Sequence, residues 1–393
     1  YRNVGHAYEY AELIEDYGVE MVWYDTPGAY LDEYAQPFLD AVRNTNPDVV
    51  VNARIGAGLG DYQGGPDSPV VFSYTKDRYW EAIQSTLHSW GYNKFDEVSR
   101  RPTDYLLRML ATVVSKGGNM MINVGPKPDG TLVENDTKCL REIAAWSRDH
   151  IESIHGAHRS PLPPQNWGVV TRKGNDLYLH VFDWPEDGKL RVCGLRTAVT
   201  SARLMAGDVP VNTRQIGEGV LVVDLPSEPS HPVNCVIRRC CVSDPEGGSY
   251  RLLEPGSQNR FHVTDTPFIS GEGLRNPVGV GFRAYMENWT DPDAEIIWKI
   301  RVTENGAYNV QFLYDLPNGK PVGNDYMIRI GDRKLVGTVE EEGTGDKALI
   351  DAEKQLMRIR RPRRIVVDDL GFVRLEPGIY DMTLKSAGPI QGN

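Results

Sequence analysis

Asp25 is the residue whose setting first points to chemistry. It ends the run VEMVWYD at residues 19–25, a short apolar, β-branched and aromatic stretch that follows a helix-like segment closed by Gly18. A strand buried in an α/β domain reads as an unbroken apolar run, and reactive groups sit where such strands emerge at their C-terminal edge. A carboxylate on a rigid strand end suits nucleophilic attack, because the attacking atom must meet its target in line. Asp also opens turns and caps helices, so the position alone leaves both readings open. A second feature is the stretch 55–77, which carries Gly-Leu-Gly, Gly-Gly-Pro and Ser-Pro. Loops of that length in a compact domain tend to be functional.

The elements that must position these residues alternate in type. Residues 7–17 place Ala7, Tyr10, Ala11, Leu13, Ile14 and Tyr17 on helical spacing, with Gly18 as the stop. A strand at 19–24, a helix over 37–43 with Phe38, Leu39 and Val42 inward, and a strand in VVVNAR from Val49 follow. Further on come a helix at 103–115 ended by Gly117-Gly118, the strand NMMINV, the turn GPKPDG and a helix over 134–154. Helices and strands that alternate across short connections imply a parallel sheet.

After Gly156 the texture changes. Residues 160–164 are proline-rich, and short alternating runs such as LYLHVFDW, LRVCGL and GVLVVDL are separated by Gly, Asp and Pro turns. That pattern predicts a β-sandwich over 159–242. From 243 to 393 the runs WKIRVTENGAYNVQFLYDL, DYMIRIGDRKLVGTV and LGFVRLEPGIYDMTLKS predict a second β-sandwich, of jelly-roll type. The expected fold is therefore a partial (β/α) barrel of TIM type over 1–158, followed by two β-sandwich domains.

Composition narrows the function class. At 393 residues the chain suits two or three domains, and 40% apolar with 25% charged residues is normal for a globular protein. A net charge of −11 argues against nucleic acid as the main partner. No run of about 18 apolar residues is present, so we expect no membrane insertion. Five cysteines (139, 193, 235, 240 and 241) form no metal-like pattern and read mostly as free thiols.

Five segments go beyond a generic barrel: YEYAELIEDYGVEMVWYD, VVVNAR, GDYQGGPD, RYWEAIQSTLHSWGYN and VVSKGGNMMINVGPKPDGTL. In this order they closely resemble the C-terminal part of the catalytic domain of glycoside hydrolase family 29, the retaining α-L-fucosidases. SWGYN and GGNMMINVGPKPDG are the most distinctive. The next region resembles that family's C-terminal β domain, and the last resembles a carbohydrate-binding module.

The resemblance implies an exo-acting retaining enzyme that removes terminal α-L-fucosyl residues from oligosaccharides or glycoconjugates, with no cofactor and no metal. It places Asp25 at the nucleophile position. The family's acid/base usually lies in a Gly-Asp-Tyr-x-x-Pro-Glu type loop. Here that loop reads GDYQGGPD, with Asp67 nearest the expected place. Glu81 of Trp80-Glu81 is the second choice, and an acid in the first turn of a helix is its other reading. Arg54 matches the sugar-contacting Arg, although the family's Asn-Asp-Arg-Trp reads Asn52-Ala53-Arg54-Ile55 here. Trp90 stands where an aromatic meets the fucose face and its methyl, and Trp23 joins them as a substrate-binding residue.

Two other functions stay open at this point: action on a related sugar such as an α-L-galactoside, and a noncatalytic carbohydrate-binding protein of the same fold. In the last region Tyr285, Trp289, Trp298, Tyr314 and Tyr326 are candidate stacking faces, with most of them expected in the core. The basic run Arg358, Arg360, Arg361, Arg363 and Arg364 reads as a solvated edge. The family's sugar-binding histidines lie on barrel strands upstream of Tyr1, so we expect the sequence to be part of a longer chain, short at both ends. By resemblance the protein is secreted, periplasmic or lysosomal; its oligomeric state is open.

Overall fold

The computed structural model describes residues 2–25, 32–64, 79–87, 89–96, 101–216, 219–263, 268–272, 274, 289–316, 322–350 and 364–388. Asp67, Tyr285, Arg358, Arg360, Arg361 and Arg363 lie outside the described residues.

The first part alternates α1 (Arg2–Tyr17), β1 (Met21–Val22), α2 (Asp32–Thr45), β2 (Val50–Val51), β3 (Gln63–Gly64), β4 (Trp80–Ser85), α3 (Thr103–Ser115), β5 (Asn119–Asn123) and α4 (Glu134–His150). β1 pairs with β2, and β3, β4 and β5 pair in that order, all in parallel. A parallel bridge between Asn52 and Tyr62 joins the two groups, so the five strands lie side by side in chain order. Gly18 ends α1 with φ +63, the left-handed stop expected of it.

Three local expectations change. β1 is shorter than the predicted 19–24, because the Asn52 side chain, not a neighbouring strand, bonds the backbone N–H and C=O of Tyr24. The 55–77 stretch is not all loop, since β3 lies within it. Glu81 stands on a strand, not on a helix. WEAIQS contains good helix formers, but parallel partners on both sides of β4 override that preference.

Helices cover one face of this sheet. Val22 and Val51 pack with Ile14, Ala35 and Val42, while Trp80 and Ala82 pack with Met109 and Val113. Trp80 is fully buried, and truncating such a side chain costs about 3–5 kcal/mol. Gly118 is required beside it, because a Cβ there would lie 2.4 Å from the Trp80 ring. Alternation puts Glu81, Ile83 and Ser85 on the opposite face, in register with Asn119, Met121 and Asn123.

The next strands are β6 (His158–Arg159), β7 (Gly168–Lys173), β8 (Asp176–Val181), β9 (Lys189–Cys193), β10 (Val199–Leu204), β11 (Val209–Pro210), β12 (Thr213–Gln215), β13 (Val220–Asp224) and β14 (Cys235–Cys241). They form one sheet of order β11-β10-β14-β8-β7-β6 and another of order β12-β13-β9. Leu177, Leu179, Ile237, Leu190, Val192 and Val223 join the two in a single core. Helix α4 docks on this layer through Trp146, whose Nε1 donates to Asn234 O at 2.9 Å. Beside it His150 and His180 are buried, and the five cysteines are free thiols.

The last strands are β15 (Arg251–Leu253), β16 (Phe268–Ser270), β17 (Glu295–Val302), β18 (Gly306–Leu316), β19 (Asp325–Ile330), β20 (Arg333–Thr338), β21 (Arg364–Leu375) and β22 (Gly378–Ser386). The sheet β15-β17-β22-β19-β20 faces the pair β18-β21 across a core that includes Ile296, Ile300, Ile328, Val373 and Leu384. Trp298 and Tyr326 are buried here, so these two are core residues and not sugar platforms, and Trp289, partly buried, packs against the same core. Among the described residues no helix is long and apolar enough to cross a membrane.

Candidate active site

The site is built on the ends of β1 and β2 and the start of β4. Asn52, fully buried just past β2, accepts from Tyr24 N and donates to Tyr24 O, both at 2.9 Å. Two hydrogen bonds from one amide fix how the chain leaves β1, and so where Asp25 points. The β2 end is itself fastened: Asp61 takes a paired hydrogen bond from Arg43 at 2.6 Å and accepts from Val51 N at 2.7 Å.

Register then aligns the candidate residues. Asn52 pairs with Tyr62, and Gly64 pairs with Glu81. Two residues on from Asn52, Arg54 falls beside Gly64. A Cβ on Gly64 would sit 3.1 Å from Arg54 Cγ, so the missing side chain leaves the lane along which Arg54 lies. From there Arg54 Nη1 donates to Asp25 Oδ1 at 2.7 Å, and its guanidinium stacks 4.9 Å from the centre of the Trp23 ring. Trp23 Nε1 in turn donates to Glu81 Oε1 at 2.9 Å. Asp25, Arg54, Trp23 and Glu81 thus form one chain of contacts.

The two carboxylates differ in environment. Asp25 is 63% exposed, whereas Glu81 is 8% exposed. Burial raises the Glu81 carboxyl above the ordinary glutamate value, and the Trp23 hydrogen bond and the Arg54 charge pull in the other direction without cancelling it. Tyr62, also buried, has its phenol pushed upward first by burial and then by the charge of Glu81. A held, open carboxyl group linked through Arg54 and Trp23 to a buried one that burial raises can supply a nucleophile and an acid.

Trp90 belongs to a second group. It is 41% exposed on the loop after β4, and its carbonyl accepts from Asn123 Nδ2 at 2.8 Å. The same Nδ2 donates to Ser85 Oγ at 3.1 Å, and Ser85 Oγ donates to Ser89 O at 3.0 Å. The loop that presents Trp90 is therefore tied to the C-terminal ends of β4 and β5.

Of the expected residues, Asp25, Arg54, Trp23 and Glu81 come together, Trp90 sits on its own loop, and Asp67 lies outside the described residues. Sequence reasoning passed over Asn52, Gly64, Tyr62 and Ser85. Asn52 and Gly64 had a signal, as the Asn two places before Arg54 and the first of the paired glycines in GDYQGG.

Comparison with known proteins matches residues 3–152 to the family described as Alpha-L-fucosidase. That stretch contains every described residue of the site. Over that stretch the chain is similar to the α-L-fucosidases. Human plasma α-L-fucosidase is 28% identical over 250 residues, covering 58% of this chain and 52% of that protein. Among solved structures, α-L-fucosidase isoenzyme 1 from Paenibacillus thiaminolyticus is 27% identical with a TM-score of 0.56, covering 60% of this chain and 61% of that one. The α-L-fucosidase of Vibrio sp. strain EJY3 shares the fold over 98% of this chain and 67% of its own, with a TM-score of 0.71 at 20% identity. The chain spans about half the length of the curated relatives it matches. Solved α-L-fucosidases thus agree with the broad division into a catalytic part and a β-rich C-terminal part.

Proposed function

We propose that the protein is an exo-acting retaining α-L-fucosidase that removes terminal α-L-fucosyl residues from glycans. The observation that carries this reading is the contact chain from Asp25 through Arg54 and Trp23 to Glu81, within the family-matched stretch. Asp25 is the nucleophile. Arg54 holds one of its oxygens, which aims the other at the anomeric carbon, and provides a donor for sugar oxygens. Glu81 is the acid/base, chosen because it is buried, burial raises its carboxyl above the ordinary glutamate value, and it is tied to the nucleophile's partners.

In the first step the glycosidic oxygen takes the proton of Glu81 and leaves with the bonding pair, while an Asp25 oxygen bonds to the anomeric carbon. In the second, Glu81 removes a proton from water, whose oxygen replaces Asp25 at that carbon. Trp90 covers the C5 methyl; burying one methyl favours fucose over an L-sugar with a hydroxyl there by about 1 kcal/mol. The parallel sheet with helices on one face supports a barrel-type catalytic domain over 1–158, and the facing sheets of the later strands support a β-sandwich over 159–242 and a jelly-roll module over 243–393.

The test is incubation of the purified protein with a 2-deoxy-2-fluoro fucosyl fluoride, then peptide mapping. One adduct on Asp25 supports the reading. Turnover of aryl α-L-fucosides that survives Asp25→Asn overturns it.

A further inference from the structure

We propose that Trp23 is a positioning residue that sets which oxygen of Glu81 carries the transferable proton. The inference rests on Glu81 being the acid/base. Indole Nε1–H is a donor only, and it points at Oε1 from 2.9 Å. In a protonated carboxyl the carbonyl oxygen is the better acceptor and the hydroxyl oxygen the poorer one. A fixed donor at Oε1 therefore makes Oε1 the carbonyl oxygen and leaves the proton on Oε2. When glycosidic cleavage begins, the Oε2–H bond breaks toward the leaving oxygen while the indole bond to Oε1 stabilises the carboxylate left behind. In the hydrolytic step the water proton returns to Oε2.

The indole is held in this pose from the other side. Arg54 stacks over its ring at 4.9 Å while bonding Asp25 at 2.7 Å, so the group that aims the nucleophile also seats the group that aims the acid. Glu81 lies on a strand paired on both sides, and its side chain is buried. The carboxyl is thus constrained at its backbone and at Oε1, which leaves one oxygen to serve the substrate. The same hydrogen bond favours the charged form of Glu81, against the stronger pull of burial.

Leaving-group dependence separates this role from a merely structural one. Trp23→Phe removes the donor and keeps a ring; replacement of Trp23 by β-(3-benzothienyl)alanine removes it with almost no change of shape. For both, kcat/KM should fall at least about tenfold with aglycones that need full protonation, such as a sugar or phenol, and by less than about threefold with fucosyl fluoride, within the range general acid catalysis supplies. The alkaline limb of the pH profile should move to higher pH, because a contact favouring the carboxylate is gone. Equal losses with every leaving group, or an unmoved alkaline limb in the benzothienyl variant, would overturn the proposal. Glu81→Gln measured in parallel isolates the underlying reading. If it retains activity on poor leaving groups, the assignment of Glu81 fails; if it loses that activity while the Trp23 variants do not, only the role of Trp23 fails.

Discussion

Among the described residues, one cluster of buried titratable groups sits beneath the candidate active site and another where α4 meets the first β layer. At the site, Glu81 is buried but linked through Trp23 and Arg54 to Asp25, which is open to solvent. At the docking surface, His180 contacts Asn234 Oδ1 and Thr171 Oγ1, His150 Nδ1 meets Trp146 O, and Thr171 and Ser153 bond the Ser153 and His150 carbonyls. Every one of these partners lies inside the joint. Burial shifts both clusters, raising Glu81 and pushing His180 down to about 3. A shifted group gains chemistry only when its contacts lead to a surface that a substrate can reach.

Four measurements test that contrast. The largest effect should come from Glu81→Gln, with kcat/KM on poor leaving groups reduced about 10²–10⁴-fold, while the thermal midpoint stays level or rises because a buried ionisable group becomes neutral. A matched loss of folding would make Glu81 a structural residue like the histidines. Next, Asn52→Ala removes both hydrogen bonds to Tyr24 and leaves part-buried backbone groups unmet, at about 1–3 kcal/mol. Denaturant titration should record that loss, and activity should fall with it as Asp25 is released.

The pH dependence of stability comes third, and the two clusters have opposite signs. A raised acid such as Glu81 stabilises the fold fully below its unfolded pKa and loses that contribution as pH rises through its folded pKa. His180, His150 and His231 are lowered by burial, so their contribution is full above the unfolded histidine value and is lost as pH falls. Asp149 raises His150 and His231 lowers it further, while Asp104 raises His231. Between about pH 6.5 and 4.5 His180, pushed down to about 3, therefore makes the protein less stable on acidification, by up to about 1.4 kcal/mol per pH unit, and the other two histidines act in the same direction. His180→Asn should flatten this slope in melts taken at several pH values and leave the alkaline limb of activity in place. The smallest effect should be Gly64→Ala, where a methyl 3.1 Å from Arg54 Cγ displaces the guanidinium slightly. A severalfold loss of kcat/KM with unchanged stability is expected.

Much of the frame was legible in the residues. Helix α3 lies at the predicted 103–115, and NMMINV, LYLHVFDW and GVLVVDL all contain strands, because apolar spacing and glycine stops act locally. The site was only partly legible. Asp25 is visible from its strand end, but Glu81 also admits a helical reading, and Asn52 shows only as the Asn of the motif before Arg54, with nothing local to link it to Tyr24.

The sequence by itself determined the order of elements and the types of chemistry available, since periodicity, turn residues and carboxylate positions are properties of neighbours along the chain. Only the tertiary structure decided that Glu81 stands on a strand, that Trp23 bonds it across 58 positions, and that Gly64 leaves room for Arg54. Those facts depend on parallel register, which is set by packing between segments far apart in sequence and which no local pattern encodes.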